Sequence, residues 1–236
     1  MMRLHDIFDA MMVLNLPARP DRRRDTQAEL DRIGWPAARV IWYPALDPQS
    51  AGEFPSGPHR GAWISHALVM NYARNAGFRR VLICEDDVQF AADWTAREST
   101  LAEQLDRACW GIAYLGHVEP VEPDGGLVSW PPDRGVLLTH CYALDGAVLP
   151  RLCRYLDLQF LRPSGSELGG PMGMDGSLSW FRRDHPDVLT LMAAPPLATQ
   201  RSSRSDLSPR WFDRVPMLRN AAEQARGWRR RWLVRA

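Results

Sequence analysis

Short apolar runs alternate with amphipathic segments along the first half of the chain. Apolar runs bounded by turn residues are typical of buried strands, and they predict strands at Met11–Leu16, Val40–Tyr43, Val81–Cys84 and Gly111–Gly116. Apolar residues at helical spacing predict helices at Thr26–Ile33, Ala62–Ala76 and Thr95–Ala108. Gly34 and Gly77 follow two of these helices, where a left-handed residue commonly ends a helix. Strands that alternate with helices predict an α/β fold with a mostly parallel central sheet.

The second half of the chain departs from this alternation because it contains long segments rich in proline and glycine. We expect these segments to be loops at Glu119–Arg134, Pro163–Met174 and Ala193–Pro209. Between them the pattern predicts strands at Val136–Leu144 and Val188–Met192 and helices at Gly146–Leu158 and Asp175–Arg183. No segment has the composition of a linker, so residues 1–215 are predicted to form a single domain.

The composition excludes several classes of protein. The chain has 236 residues, of which 45% are hydrophobic, as in ordinary soluble domains. Basic and acidic residues number 29 and 28, so a dedicated nucleic-acid-binding protein is not expected. All the basic residues are arginines. The absence of lysine excludes P-loop NTPases, protein kinases and Schiff-base enzymes, because each needs a lysine.

The pattern contains no signal for targeting or for crossing a membrane, so we expect a cytoplasmic protein. His5, Asp6 and Asp9 interrupt the apolar start, and no apolar run approaches the roughly 18 residues of a membrane span. Residues 216–236 form a basic tail with six arginines and two tryptophans, predicted to be helical. Such a tail fits either peripheral contact with an anionic membrane or a solvated helix packed through a few apolar residues.

Three consecutive acidic residues, Glu85-Asp86-Asp87, follow the most apolar predicted strand. In an open α/β sheet, ligands bind at the carboxyl ends of the strands. Neighbouring carboxylates repel one another unless a cation or hydrogen-bond donors offset their charge. Mn²⁺ or Mg²⁺ accepts carboxylate oxygens and can join them to a diphosphate. The triplet therefore predicts a metal site, with a solvated acidic turn as the alternative.

Two further segments carry groups that suit a phosphate. Ser65 and His66 are predicted near the first turn of the helix Ala62–Ala76, where exposed N–H groups favour anions. The alternative for His66 is a hydrogen-bonded structural histidine. The predicted loop Ala18–Arg24, which contains four arginines, follows the first strand and would reach the same edge of the sheet. Its alternative is a solvated arginine loop.

In their order along the chain, these motifs resemble glycosyltransferase family 25, which includes lipooligosaccharide and procollagen galactosyltransferases. The resemblance extends over roughly Val13 to Leu207. The residues that carry it are Asn15-Leu16 with Arg19, Asp21 and Arg22; Ser65-His66; Leu82 through Val88; His140 through Leu144 with Gly146-Ala147; Asp175; and Pro195-Pro196-Leu197 with Gln200 and Ser205-Asp206.

The resemblance implies a GT-A type fold that binds a UDP-sugar, with Mn²⁺ or Mg²⁺ as cofactor. In such a fold the last acid of the triplet holds the metal, which assigns Asp87 to the metal with Glu85 as a second contact. Glu85 or Asp86 would lie nearer to the ribose or the sugar. The other residues expected to contact the donor are Asn15, Leu16, Arg19, Arg22, Ser65 and His66.

The resemblance also implies the reaction. Members with defined linkages mostly form β-galactosides from an α-linked donor, so we expect transfer of a hexose, first of all galactose, with inversion. The acceptor would be a hydroxyl of a lipooligosaccharide or surface polysaccharide precursor. Inversion needs a general base. Asp175 is the first candidate and Asp206 the second, and the alternative for each is a residue that caps a helix or a loop.

Two other functions fit the same residues. The first is a catalytically inactive relative that binds a sugar or a protein. The second is a metal-dependent phosphohydrolase, because carboxylates at strand ends also serve that chemistry. The aspartates do not form the two separated clusters that a two-metal phosphohydrolase would favour, and the combined presence of the acidic triplet, Ser65-His66 and Asn15 favours an active transferase.

Overall fold

The apolar runs and amphipathic segments fold into strands and helices over residues 1–201, which are the residues described in the computed structural model of the chain. The helices are α1 (Leu4–Ile7), α2 (Pro20–Ile33), α3 (Gly57–Asn75), α4 (Trp94–Arg107), α5 (Leu149–Phe160) and α6 (Met174–Asp184). The strands are β1 (Ala10–Asn15), β2 (Val40–Pro44), β3 (Arg80–Glu85), β4 (Val88–Phe90), β5 (Ile112–Tyr114), β6 (Gly126–Ser129), β7 (Cys141–Asp145), β8 (Thr190–Ala194) and β9 (Ala198–Gln200).

Seven of these strands form the central sheet, in the order β2-β1-β3-β7-β5-β8-β6. Strand β1 is parallel to β2 and β3, and β5 is parallel to β8, whereas β7 is antiparallel to both its neighbours and β6 to β8. Five strands therefore run in one direction and two in the other. The predicted α/β fold with a mostly parallel sheet is confirmed.

The helices cover both faces of this sheet because successive residues of each strand point to opposite sides. In β1, Met12 packs into the core shared with α3, α5 and α6, while Met11 packs into the core on the opposite side with α1, α2 and α4. Both methionines are fully buried. With both faces covered, a ligand can approach the sheet only at its edges and strand ends.

The reversed direction of β7 brings two distant parts of the chain to the end of β3. Since β7 is antiparallel to β3, the residues just before β7 lie beside the carboxyl end of β3, and Cys141 pairs with Cys84. A separate two-stranded sheet joins β4 to β9, with Val88 opposite Gln200. This second sheet closes the other side of the turn that follows β3.

The structure corrects two predicted boundaries that bear on the site. Helix α2 begins at Pro20, because a proline at the first helical position is preorganised for a helix. Arg22 therefore lies on a helix and not in a loop Ala18–Arg24. Helix α3 begins at Gly57, where the side chain of Ser56 accepts a hydrogen bond from the backbone of His59, so its predicted start at Ala62 is wrong.

Other differences concern the second half of the chain. The predicted strand Val136–Leu144 shrinks to β7, and the predicted loop Ala193–Pro209 contains β9. The loop Glu119–Arg134 contains the edge strand β6. Within the described residues, no helix combines the length and apolar character that a membrane span requires. Asp206 and the basic tail 216–236 lie outside the described residues.

Candidate functional site

A cavity of about 370 Å³ lies at the carboxyl ends of β1 and β3. Helices α2 and α3 and the segment after β2 form its walls. Most residues expected to bind the donor or the metal line it, namely Leu16, Arg19, Arg22, Ser65, His66, Glu85, Asp86 and Asp87. The rest of the lining consists of Asp47, Gln200 and the apolar residues Leu14, Ala18, Ala45, Leu46, Pro58 and Ala62. The structure thus brings residues from the three predicted motifs to one cavity.

The three acidic residues at the end of β3 point to different partners. Strand β3 ends at Glu85, and Asp86 and Asp87 form the turn that leads into β4. Glu85 turns toward the segment before β7, Asp86 toward α2, and Asp87 toward β9. Each carboxylate therefore has its own electrostatic environment, although the three are consecutive in sequence.

Asp86 is held by hydrogen bonds to both of its carboxylate oxygens. Arg22 donates from Nη1 to Oδ1 at 2.9 Å, and Asn15 donates from Nδ2 to Oδ2 at 2.7 Å. The backbone carbonyl of Asp86 accepts a hydrogen bond from the Thr26 hydroxyl at 2.6 Å. All four residues are buried. Asp86 thus fastens β1 and α2 to the turn, and Asn15 lies behind the cavity wall as its partner.

Asp87 has a buried oxygen that finds no hydrogen-bond partner among residues 1–201. Its Oδ2 accepts a hydrogen bond from Gln200 Nε2 at 3.1 Å and lies 3.7 Å from Arg22 Nη1. Its Oδ1 has no hydrogen-bond donor within residues 1–201. Burial and the nearby charge of Glu85 raise the pKa of Asp87 to about 7. A buried carboxylate with a free oxygen is a position where a cation would offset an unfavourable charge.

Glu85 accepts two hydrogen bonds at the same oxygen. Thr139 donates to Oε1 at 2.9 Å, and His66 Nε2 lies 3.3 Å from that oxygen. Burial raises the pKa of the Glu85 carboxyl, but the hydrogen bonds from His66 and Thr139 and the electrostatic effect of His66 and His140 together outweigh burial and keep that pKa below its ordinary value. Glu85 is therefore a charged side chain at the cavity, with 23% of its side chain exposed.

Ser65 and His66 lie in the middle of α3 and not in its first turn. Their predicted position in the first turn is wrong, because α3 begins eight residues before Ser65. The Ser65 hydroxyl donates to the carbonyl of Gly61 at 2.6 Å and accepts from the backbone N–H of Leu46 at 2.8 Å. Ser65 thereby fixes the segment after β2 against α3.

Arg19 and Leu16 form the rim of the cavity next to β1. The Arg19 guanidinium pairs with Asp21 at 2.9 Å, and this pairing lowers the pKa of Asp21 to about 2. The backbone N–H of Arg19 donates to the carbonyl of Leu16 at 2.8 Å. Arg19 thus adds positive charge to the rim, next to the more deeply placed Arg22.

Asp175 is not among the residues that line the cavity. It is the second residue of α6, and its Oδ1 accepts a hydrogen bond from the backbone N–H of Gly176 at 2.8 Å. Its Oδ2 accepts a longer bond from the backbone of Leu138 at 3.4 Å. Leu138 has a φ of 70°, which is unusual for a bulky residue. Asp175 therefore holds a strained loop that leads to Thr139 and the cavity.

Four residues at the site were missed as functional residues by the sequence reasoning, namely Thr26, Thr139, Tyr142 and Gln200. Tyr142 and Gln200 belong to the motifs that resemble family 25, but nothing in their local sequence gives them a role. Their contacts depend on the reversed direction of β7 and on the β4–β9 pairing.

Comparison with known proteins supports the motif resemblance. No model of a known protein family matches the chain. The human protein named inactive glycosyltransferase 25 family member 3 is 30% identical over 138 residues, covering 50% of this chain and 23% of that protein. The chain therefore spans about a quarter of the length of this relative.

A solved structure shares the fold. This is a glycosyltransferase involved in the glycosylation of the major capsid of PBCV-1, which superposes with a TM-score of 0.51 and 10% identity. The superposition covers 83% of this chain and 94% of the other. At this identity the likeness concerns the fold alone. Together with the ordered motifs, these comparisons lead to one conclusion: half of the chain is similar to a glycosyltransferase family 25 member, and its fold is similar to that of a solved glycosyltransferase.

Proposed function

We propose that the chain is a metal-dependent, inverting glycosyltransferase that moves a hexose from a UDP-sugar to a hydroxyl of a glycan acceptor. The observation that carries this proposal is the buried oxygen of Asp87, which has no hydrogen-bond partner in the described part of the chain, in a cavity that Arg19 and Arg22 also line. A free carboxylate oxygen suits a divalent cation, and arginines suit a diphosphate. Galactose is the first candidate sugar because the family 25 members that the motifs resemble are galactosyltransferases.

The residues present fit a cation that is only partly coordinated by protein. Within residues 1–201, no three His, Cys, Asp or Glu side chains converge closely enough to hold a metal by themselves. Mg²⁺ is usually bound by one or two carboxylates together with phosphate oxygens and water. Asp87 would hold Mn²⁺ or Mg²⁺, with Glu85 as the second candidate. Such an ion, when bound, would stabilise the negative charge that develops on the leaving diphosphate.

The side chains around the cation divide the remaining tasks. Arg22 is held by Asp86 at 2.9 Å, so its guanidinium is already oriented when a diphosphate arrives. Arg19 adds charge at the rim. The general base remains a choice between Asp175, which lies on α6 outside the cavity lining, and Asp206, which lies outside the described residues.

The test is release of UDP from a panel of UDP-sugars, with UDP-galactose first, in the presence of Mn²⁺. We expect one sugar to be preferred, EDTA to stop the release, and added Mn²⁺ to restore it. Asp87→Asn is the matched loss-of-function variant because it keeps the size and removes only the charge. Equal release by wild type and Asp87→Asn at saturating UDP-sugar would contradict the metal assignment.

An inactive relative is the second candidate function, because the human relative is named as inactive. This alternative predicts that UDP with Mn²⁺ raises the melting temperature, while no UDP-sugar in the panel releases UDP. A ligand at 100 times its Kd stabilises a protein by about 2.7 kcal/mol, which thermal unfolding detects easily. Binding and turnover measured on the same preparation thus separate an inactive binding protein from an enzyme.

A further inference from the structure

His66 has both ring nitrogens engaged within the protein. The side chain is 1% exposed and lies in the middle of α3. Its Nδ1 is 2.8 Å from the hydroxyl of Tyr142, and its Nε2 is 3.3 Å from Oε1 of Glu85. A histidine that bound a donor phosphate would need one of these nitrogens free.

In the neutral form of the ring, the partners fix which nitrogen carries the proton. A carboxylate oxygen only accepts hydrogen bonds, so His66 must donate to Glu85 from Nε2. In a neutral imidazole the other nitrogen is then an acceptor, and Nδ1 receives the hydroxyl proton of Tyr142. Tyr142 is fully buried on β7, opposite Ile83 of β3. Its hydroxyl is therefore held in place by the sheet itself.

We propose that His66 is a positioning residue for Glu85, locked in its Nε2–H tautomer by Tyr142, and not a ligand of the donor phosphates. Thr139 donates to the same oxygen at 2.9 Å, so Oε1 is held from two directions. Both of these hydrogen bonds are made to Oε1 of a side chain that lines the cavity. The role of Glu85 toward the donor rests on the proposed function, whereas the hydrogen-bond chain does not.

Two amide substitutions at His66 test the direction of the hydrogen bonds that run from Tyr142 through His66 to Glu85. His66→Gln extends an amide N–H to about the position of Nε2, so it can still donate to Glu85. His66→Asn places its amide nearer to the position of Nδ1, so it can reach Tyr142 but not Glu85. At saturating Mn²⁺ we expect His66→Asn to lower kcat by about 10- to 100-fold, as is usual for a lost outer-shell partner. His66→Gln should recover most of that loss.

The affinity for UDP separates positioning from phosphate binding. Titration calorimetry of UDP, with saturating Mn²⁺, should give a Kd for His66→Asn within about twofold of wild type. The loss of a direct hydrogen bond to a charged phosphate would instead raise Kd by about 10- to 100-fold. Such a rise would overturn the proposal.

Tyr142→Phe tests the tautomer without any assay of transfer. In ¹⁵N NMR spectra of the wild-type ring, assigned by the signal lost in His66→Gln, we expect only the Nε2–H form. Tyr142→Phe should introduce the Nδ1–H form and lower kcat, with the donor KM unchanged. Tyr155→Phe is the matched control because it removes a hydroxyl bonded to Asp184 at 2.8 Å, away from the cavity. It should change neither the tautomer nor kcat.

The outcomes separate the two claims. If the wild-type ring carries its proton on Nδ1, or if the form is unchanged in Tyr142→Phe, the positioning role is wrong, whatever the activity. If wild-type protein neither binds UDP nor releases it from any UDP-sugar, the proposed function fails. In that case the NMR spectra still test whether Tyr142, His66 and Glu85 are joined by the proposed hydrogen bonds.

Discussion

Replacing Asp87 with asparagine should stabilise the metal-free protein above pH 7 while it abolishes transfer. Asp87 is buried, its Oδ1 has no hydrogen-bond donor within residues 1–201, and burial together with Glu85 raises its pKa from 3.8 to about 7. A carboxyl that resists ionisation in the folded state costs stability once the solution pH forces it to ionise.

The magnitude follows from the difference between the two pKa values. The difference is about 3 units, and each unit corresponds to about 1.4 kcal/mol, so the ionised Asp87 costs at most about 4 kcal/mol. An asparagine amide in the same place leaves a buried N–H₂ group partly unsatisfied, which costs about 1–3 kcal/mol. We therefore expect Asp87→Asn to gain about 1–3 kcal/mol at pH 8.

The sign of the effect depends on pH. Between pH 4 and pH 7 the folded chain keeps the Asp87 proton that the unfolded chain has lost. Because the folded state binds more protons over this range, the stability contributed by Asp87 falls as the pH rises, and it is constant above pH 7. By the same arithmetic, Asp87→Asn should be less stable than wild type by about 1–3 kcal/mol at pH 4, where folded Asp87 is protonated, and more stable than wild type at pH 8.

Asp86→Asn is the matched control, with an effect of opposite sign. Asp86 accepts hydrogen bonds from Arg22 and Asn15, so neutralising it removes the nearer carboxylate from a buried guanidinium and leaves Asp87 at 3.7 Å. Breaking a buried pair of this kind costs about 3–5 kcal/mol. At pH 8, replacing aspartate with asparagine should thus stabilise the folded protein at position 87 and destabilise it at position 86.

Thermal unfolding of the full chain at pH 4, 6 and 8 measures both effects. For a chain of 236 residues, 1 kcal/mol shifts the melting temperature by about 2–4 °C, so each effect is measurable. Added Mn²⁺ should raise the melting temperature of wild type at pH 8 and leave Asp87→Asn unchanged. A fall in the melting temperature of Asp87→Asn at pH 8, as large as that of Asp86→Asn, would refute the reasoning.

Three other substitutions test separate parts of the structure. Asp175→Asn can still accept the hydrogen bond from the backbone N–H of Leu138, so its stability should stay near that of wild type. If Asp175 is the base, transfer should fall by about 10²- to 10⁴-fold. Full activity would move the assignment to Asp206. Gly61→Ala should lower the melting temperature, because its Cβ would collide with the carbonyl oxygen of Leu46, although alanine in a helix normally gains about 1 kcal/mol; unchanged or higher stability would contradict this. Arg182→Met should lower the free energy of unfolding, measured with denaturant, by about 3 kcal/mol, because it removes three side-chain hydrogen bonds from a fully buried residue. A decrease of less than about 1 kcal/mol would contradict this prediction.

The sequence alone predicts the edge of the sheet where the site lies. The apolar run of β3 and its acidic end predict a buried strand with carboxylates at its carboxyl terminus, and this placement is confirmed. Strand periodicity is a local property, so it can be read from a few residues. The same holds for Gly34, which has the left-handed φ of 68° expected after α2.

The partners within the site could not be predicted, because they depend on tertiary pairing. Thr139 contacts Glu85 only because β7 runs antiparallel to β3, whereas the alternating pattern predicts mainly parallel neighbours. The start of α3 was predicted five residues late, since the cap at Ser56 precedes the apolar spacing that marks the helix. This error placed His66 at a helix end, where it suggested a phosphate ligand.

The division of charge within the triplet connects the fold to the proposed need for a metal. Three adjacent carboxylates, of which Asp86 and Asp87 are buried, cannot all ionise unless something offsets their charge. Glu85 receives hydrogen bonds from His66 and Thr139, and Asp86 is paired with Arg22. Within residues 1–201, the side chain of Asp87 accepts one hydrogen bond, from the neutral amide of Gln200, and Arg22 lies 3.7 Å away, so Asp87 is the least compensated of the three. A cation bound at this turn would gain most from Asp87, and the metal dependence of both stability and transfer should therefore follow this one carboxylate.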